Sequence, residues 1–358
     1  MAQPLTTTLA KSVRILISTL PVLAFCSPGP GAQAQETASA VATQPPAAPQ
    51  SVLEGKTICL DPGHGGTAAT DHYRVGPSGE REEWVDLRVA LLLRDMLEAR
   101  GARVLMTRTE DVAVGLQERA ALAVENDADV FISIHHNATA DPAVNFPIIY
   151  FHGNASENRA GVALGRFVAT ALREALVAGD TPVSLVSDHV IFPGGGTAVL
   201  RHSYGIPGII GEATFFTNPE EEERLKDPDY NRREAEAYLT ALEAFFSAPA
   251  PPMADKYSTG RLPRFEVFQE AERMSQEAKL WLENYSRALE LMEVGTPEAR
   301  AEAYELFTLS ARSFPDSWVA RDCHRYRARL LEEMGRGEEA AEARRRVREY
   351  YVPVDPGG

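Results

Sequence analysis

The chain has 358 residues, 44% hydrophobic and 24% charged, which suits about two packed domains and excludes a fibrous or wholly disordered polymer. Its formal net charge of −15 excludes nucleic acid as the main partner, because phosphate binding needs clustered Lys and Arg. The same acidity disfavours broad adhesion to an anionic membrane surface.

In chain order, Lys11 and Arg14 precede the apolar run "ILISTLPVLAF" at 15–25, and the small residues "AQA" follow at 32–34. This is the pattern of a signal peptide over 1–34, cleaved after Ala34. The apolar run is shorter than the roughly 20 residues a bilayer requires, so the mature chain is expected to carry no transmembrane helix. Cys26 follows the bulky Phe25, which argues against lipidation at that cysteine. The expected destination is outside the cytoplasm, in a periplasm or cell envelope. Cys59 and Cys323 would remain after cleavage, in different expected domains, so no disulfide is expected between them.

Residues 35–51, rich in Pro, Ala and Gln, read as a linker. From 52 to 247 strand-like and helix-like segments alternate. "KTICL", "ARVLMT", "ADVFISIHH", "PIIYFHG" and "IPGIIGEATF" are apolar strands. "WVDLRVALLLRDMLEA", "LQERAALAVEN", "ENRAGVALGRFVATALREAL" and "NRREAEAYLTALEAFF" are helices. Alternation of this kind predicts an α/β domain, a mostly parallel sheet flanked by helices. The segment "VAGDTPVSLVSDHVIFPGGG" (177–196) has no strong period and reads as a mobile lid. A second linker spans 248–264, and 265–351 is a smaller all-α region. Its helix pairs are similar to a tetratricopeptide-type repeat, and an ordinary helical cap is the competing reading.

Open parallel sheets place ligands outside the carboxyl ends of their strands. His64, in "DPGHGG", follows the first strand; His135 ends the third; Glu212 follows "PGIIG"; Glu82 opens the first helix. Each has an ordinary explanation alone: a hydrogen-bonded loop histidine, an acid at a helix N-terminus, a strand-end acid. Glu212 is the least ordinary, because "PGIIGEATFF" surrounds a carboxylate with apolar side chains. Together they fit one chemistry. A catalytic zinc takes three imidazole or carboxylate ligands, and a second carboxylate serves as general base.

Four segments carry a resemblance: "DPGHGG" at 61–66, "EEWVDLRVA" at 82–90, "SIHHN" at 133–137 and "EATFFTNPEE" at 212–221. They resemble the zinc-dependent N-acetylmuramoyl-L-alanine amidases of bacterial cell walls, in the cell-division branch. "TR" at 107–108, "LQERA" at 116–120 and "AVLRHSYGIPGIIGE" at 198–212 fit the same family. The resemblance implies Zn²⁺ held by His64, Glu82 and His135, with Glu212 as the catalytic residue. Glu83 and His136 are the neighbouring alternatives, and strand alternation turns His136 to the opposite face. Asp86 and Thr214 stand where the family often has Asn and Gly. The implied substrate is peptidoglycan, cut between N-acetylmuramic acid and L-alanine during wall remodelling or daughter-cell separation. Separately, the helical-repeat reading of the C-terminal helices gives them a protein as partner, since such repeats offer a concave groove for protein ligands. Two rivals remain: a non-catalytic wall-binding regulator and another exported zinc peptidase.

Overall fold

The computed structural model describes residues 51–70, 74–177 and 179–354. The expected signal peptide lies outside the described residues, as does all but the last residue of the first linker. The described residues form one compact unit. Its strands and helices run β1 (Thr57–Pro62), α1 (Glu82–Glu98), β2 (Arg103–Met106), α2 (Leu116–Glu125), β3 (Val130–Asn137), β4 (Ile148–Phe151) and α3 (Arg159–Leu176). There follow β5 (Ser184–Ser187), α4 (Ala198–His202), β6 (Gly208–Phe215), α5 (Pro219–Leu225) and α6 (Pro228–Ser247). The C-terminal helices are α7 (Glu270–Arg273), α8 (Gln276–Lys279), α9 (Trp281–Val294), α10 (Pro297–Ser313), α11 (Ala320–Glu333) and α12 (Gly337–Tyr350), ahead of a final short strand, β7 (Tyr351–Val352).

The strands make one seven-stranded sheet in the order β2-β1-β3-β6-β4-β5-β7. Pairings among β2, β1, β3 and β6 are parallel, as is β4 with β5. β4 runs antiparallel to β6, and β7 antiparallel to β5. The sheet is therefore mixed. Its two parallel blocks point their carboxyl ends in opposite directions, and the sign reverses between β6 and β4.

Side chains sort by strand alternation into two cores. Ile58, Leu60, Ile132, Ile134, Ile149, Phe151, Ile209 and Ala213 face α1, α3 and α6. Cys59, Phe131, Ile148, Tyr150, Ile210 and Phe215 face the other way, in one cluster with Trp281, Phe307, Phe314 and Leu331 of the C-terminal region. The C-terminal helices thus complete the second core of the sheet, each of α9 to α12 packing on the next. Polar ties reinforce the joint. The Tyr150 hydroxyl donates to buried Asp316, whose other oxygen accepts from Arg273 at 3.0 Å. The chain then returns β7 to the sheet edge, with Val186 beside Tyr351.

The lid expected over 177–196 is not what this segment builds. Ser184–Ser187 is a fully buried strand in parallel register with β4, and Asp188–Val190 closes it with a 3₁₀ turn. Four residues, of which the outer two are serines, offer no apolar run to betray a strand inside the sheet. Cys59 and Cys323 are both buried and unbridged. Among the described residues no helix is long and apolar enough to cross a membrane.

Candidate active site

β1, β3 and β6 are adjacent and parallel, so their carboxyl ends share one rim. The chain leaves β1 through Gly63–Gly66. His64 itself takes a left-handed φ of 52°, a conformation that is unfavourable for a side-chain-bearing residue, and Gly65 and Gly66 follow at 111° and 70°. At Gly63 a side chain would collide with the His135 ring, so glycine is required for the two segments to meet. His135 and Glu212 are direct register partners on β3 and β6 and therefore face the same side.

Glu82, in the first turn of α1, is nearly buried and receives both rings on one oxygen. His64 Nε2 lies 3.1 Å and His135 Nδ1 3.0 Å from Glu82 Oε1. The donor atoms of His64, Glu82 and His135 lie within 4.8 Å of one another. The two rings meet edge to face, with centroids 4.7 Å apart. Burial opposes ionisation of Glu82, but the charge and hydrogen bonds of His64 and His135 prevail and hold its carboxyl far below the usual range. Burial likewise works against a charged His135, yet the Glu82 hydrogen bond and the Glu212, Glu82 and Asp86 charges raise it to about 9. Glu82 and Glu212 thus flank the His135 ring from two sides, and Glu82 also meets His64.

Glu212 is half-buried, and its Oε2 is buried with no hydrogen-bond partner. Burial raises its carboxyl to about 8, with the Glu82 and Asp86 charges adding and His135 opposing. A cation beside it acts in the opposite direction and favours the carboxylate. The donor set fits zinc: two imidazoles and one carboxylate match the count and type of a catalytic site, with an unpaired carboxylate alongside.

The neighbouring residues take other partners. Glu83 turns away and pairs with Arg81 Nε at 2.7 Å. His136 points to the opposite face, its Nδ1 2.9 Å from Asp86 Oδ1 and its Nε2 3.0 Å from Glu234 Oε2, all three fully or almost fully buried. Burial disfavours the charged His136 ring, but the two carboxylates, Glu234 foremost, raise it well above its ordinary value. Asp86, standing where the resembled family often has Asn, thereby braces the backbone that carries His135.

Two arginines whose role the sequence does not reveal hold the loop. Arg108 donates to the carbonyls of Pro62 (3.0 Å), Gly63 (2.6 Å) and Glu83 (2.7 Å), tying the His64 loop to the start of α1. Arg119 donates to Asp61 Oδ1 and the Pro62 carbonyl, both at 2.8 Å, and to the carbonyl of His64. Glu234 carries no sequence signal at all, because only the packing of α6 on α1 brings it under His136.

Residues 58–244 match the family described as N-acetylmuramoyl-L-alanine amidase. The N-acetylmuramoyl-L-alanine amidase AmiC of Escherichia coli is 30% identical over 223 residues, covering 53% of this chain and 52% of that protein. The germination-specific N-acetylmuramoyl-L-alanine amidase of Bacillus subtilis is 29% identical over 214 residues, covering 56% of this chain and 84% of that one. Among solved structures, N-acetylmuramoyl-L-alanine amidase AmiC2 of Nostoc punctiforme is 27% identical, with a TM-score of 0.47 over 55% of this chain and 99% of that chain. The family match takes in more than half of the residues and all four of His64, Glu82, His135 and Glu212, and the chain belongs to the N-acetylmuramoyl-L-alanine amidase family.

Proposed function

We propose that the protein hydrolyses the amide between the lactyl group of N-acetylmuramic acid and L-alanine in peptidoglycan, using a zinc ion at His64, Glu82 and His135. The observation that carries the reading is the convergence of these three donors at one strand rim, beside a buried Glu212 oxygen that has no partner. When bound, zinc supplies Lewis acidity, lowering the pKa of a water and offsetting charge on the carbonyl oxygen. Glu212 accepts the proton of the attacking water and delivers it to the departing amine of L-alanine. Its unpartnered, buried Oε2 suits this double duty, because no fixed hydrogen bond there traps either the charged or the neutral carboxyl. His136, Asp86 and Glu234 keep β3 in place, while Arg108 and Arg119 fix the His64 carbonyl side so that its ring faces Glu82.

A wall substrate requires export, so the assigned location is the periplasm or cell envelope, with residues 1–34 as a signal peptide. Residues 52–247 are assigned as the catalytic domain and 265–351 as a tetratricopeptide-like helical region that docks a protein partner. Wall remodelling or daughter-cell separation is the cellular task.

The test is digestion of purified sacculi, read by mass spectrometry. Intact stem peptides beginning with L-alanine are expected; fragments cut within the stem would favour a peptidase instead. Glu212→Gln is expected to keep its bound zinc and lose about 10²–10⁴-fold in rate. Wild-type turnover by that variant would remove Glu212 from the reaction.

A further inference from the structure

The reversal of strand direction between β6 and β4 creates a second rim of carboxyl ends, on the opposite edge of the sheet from His64, Glu82 and His135. His152 directly follows β4, and Asp188 directly follows β5. Phe151 and Ser187, the residues before them, are register partners. The two side chains therefore leave the sheet from the same rung, and His152 Nδ1 lies 2.9 Å from Asp188 Oδ2. His189 comes next in the 3₁₀ turn. The donor atoms of His152, Asp188 and His189 all lie within 4.8 Å of one another.

Burial separates this group from an ordinary surface cluster: His152 is 1% exposed, Asp188 0% and His189 8%. His152 Nε2 and His189 Nε2 are buried nitrogens with no hydrogen-bond partner. A buried imidazole nitrogen left without a partner is costly, and two of them around one carboxylate need an explanation.

We propose that His152, Asp188 and His189 form a second metal site that binds a borderline divalent ion of the zinc class. Two imidazoles and a carboxylate are the donors such ions take, with a remaining position for water. The surroundings orient the donors as outer partners do at metal centres. Asp188 Oδ2 accepts from the Thr197 amide at 2.8 Å and from its hydroxyl at 2.9 Å. His189 Nδ1 is 3.4 Å from the Tyr350 hydroxyl at the end of α12. The Tyr204 ring stands edge-on to His152, with centroids 5.7 Å apart. The ion ties the end of β4 to the turn after β5 and, through Tyr350, to the C-terminal helices. It takes no part in the amide hydrolysis, since its ligands open on the other edge of the sheet.

The test counts metal per chain after zinc loading and desalting, in three full-length proteins. Wild type is expected to hold two equivalents. His64→Ala/His135→Ala is expected to hold one, and His152→Ala/His189→Ala one. Cobalt loaded into His64→Ala/His135→Ala is expected to give the visible absorption of an imidazole-ligated ion. One equivalent in wild type and none in His64→Ala/His135→Ala would overturn the second site and leave a hydrogen-bonded knot around Asp188. One equivalent in wild type that persists in His64→Ala/His135→Ala and vanishes in His152→Ala/His189→Ala would support the second site and overturn zinc at the first. No metal in any of the three would overturn both. If His152→Ala/His189→Ala does not fold, the count and cobalt spectrum of His64→Ala/His135→Ala decide.

Discussion

His135 and His136 are adjacent in sequence and opposite in task. Strand alternation sends one ring to the rim with Glu212 and the other under the sheet, between Asp86 and Glu234. The buried ring is the hydrogen-bonded counter-charge that the two carboxylates share, and Glu234 Oε1 and Asp86 Oδ2 lack hydrogen-bond partners. Removing it leaves unpaired charge in the interior. His136→Ala is expected to destabilise the fold by about 3–5 kcal/mol, measured by denaturant unfolding. A loss below about 1 kcal/mol would mean the two carboxyls are neutral and the ring merely fills space. At this scale much of the site is legible in the sequence. His64 and His135 end apolar strands, Glu212 sits among apolar neighbours, and alternation separates His135 from His136. The resemblance prefers Glu82 to Glu83, and in the structure Glu82 meets His64 and His135 while Glu83 pairs with Arg81. Glu234 is not legible, because its contact with His136 depends on how α6 lies against α1.

Between elements, the structure depends on how a glycine-rich loop is held open beside a helix N-terminus. The left-handed His64 is unfavourable in isolation, and the positive-φ Gly65 and Gly66 beside it let the loop turn without adding strain. Arg108, arriving from the end of β2, satisfies three carbonyls belonging to both the loop and α1. Burial lowers the Arg108 pKa from its ordinary value, with the nearby Asp86 charge opposing. Arg108→Ala is expected to remove the donor shared by the Pro62, Gly63 and Glu83 carbonyls and release the loop, weakening metal binding at the proposed site about 10–100-fold in competition with a chelator. An unchanged metal affinity would show that Arg119 alone fixes the loop. Long, strongly periodic elements such as α3 and β3 are readable from pattern. β5 and β7 are not: four residues and two residues carry no period, and each becomes a strand only because a neighbouring edge is there to pair with.

In the whole molecule, the C-terminal helices and the α/β layer share a core, so a helical region that reads in sequence as a separate block is also the cover of one sheet face. His324 on α11 sits at that junction, fully buried between Phe265, with ring centroids 4.7 Å apart, and Tyr351 of β7 at 5.5 Å. Its Nδ1 accepts from Arg327 Nη1 at 2.9 Å, which requires the ring to be neutral at that nitrogen. Burial, then the positive charges of Arg327 and Arg346, push its pKa well below the ordinary histidine value of 6.5. The folded chain therefore refuses a proton that the unfolded chain accepts. Its contribution to stability is complete above about pH 6.5 and is lost as pH falls from there toward the folded value, by about 1.4 kcal/mol per pH unit for one proton. His324→Gln keeps an acceptor for Arg327 and cannot titrate. Melting temperatures of wild type and His324→Gln, measured from pH 8 to pH 5, are expected to converge as pH falls, with the variant's profile the flatter of the two. Parallel profiles would mean that His324 takes up its proton equally in both states, and that the packing around it opens in acid before the fold is lost.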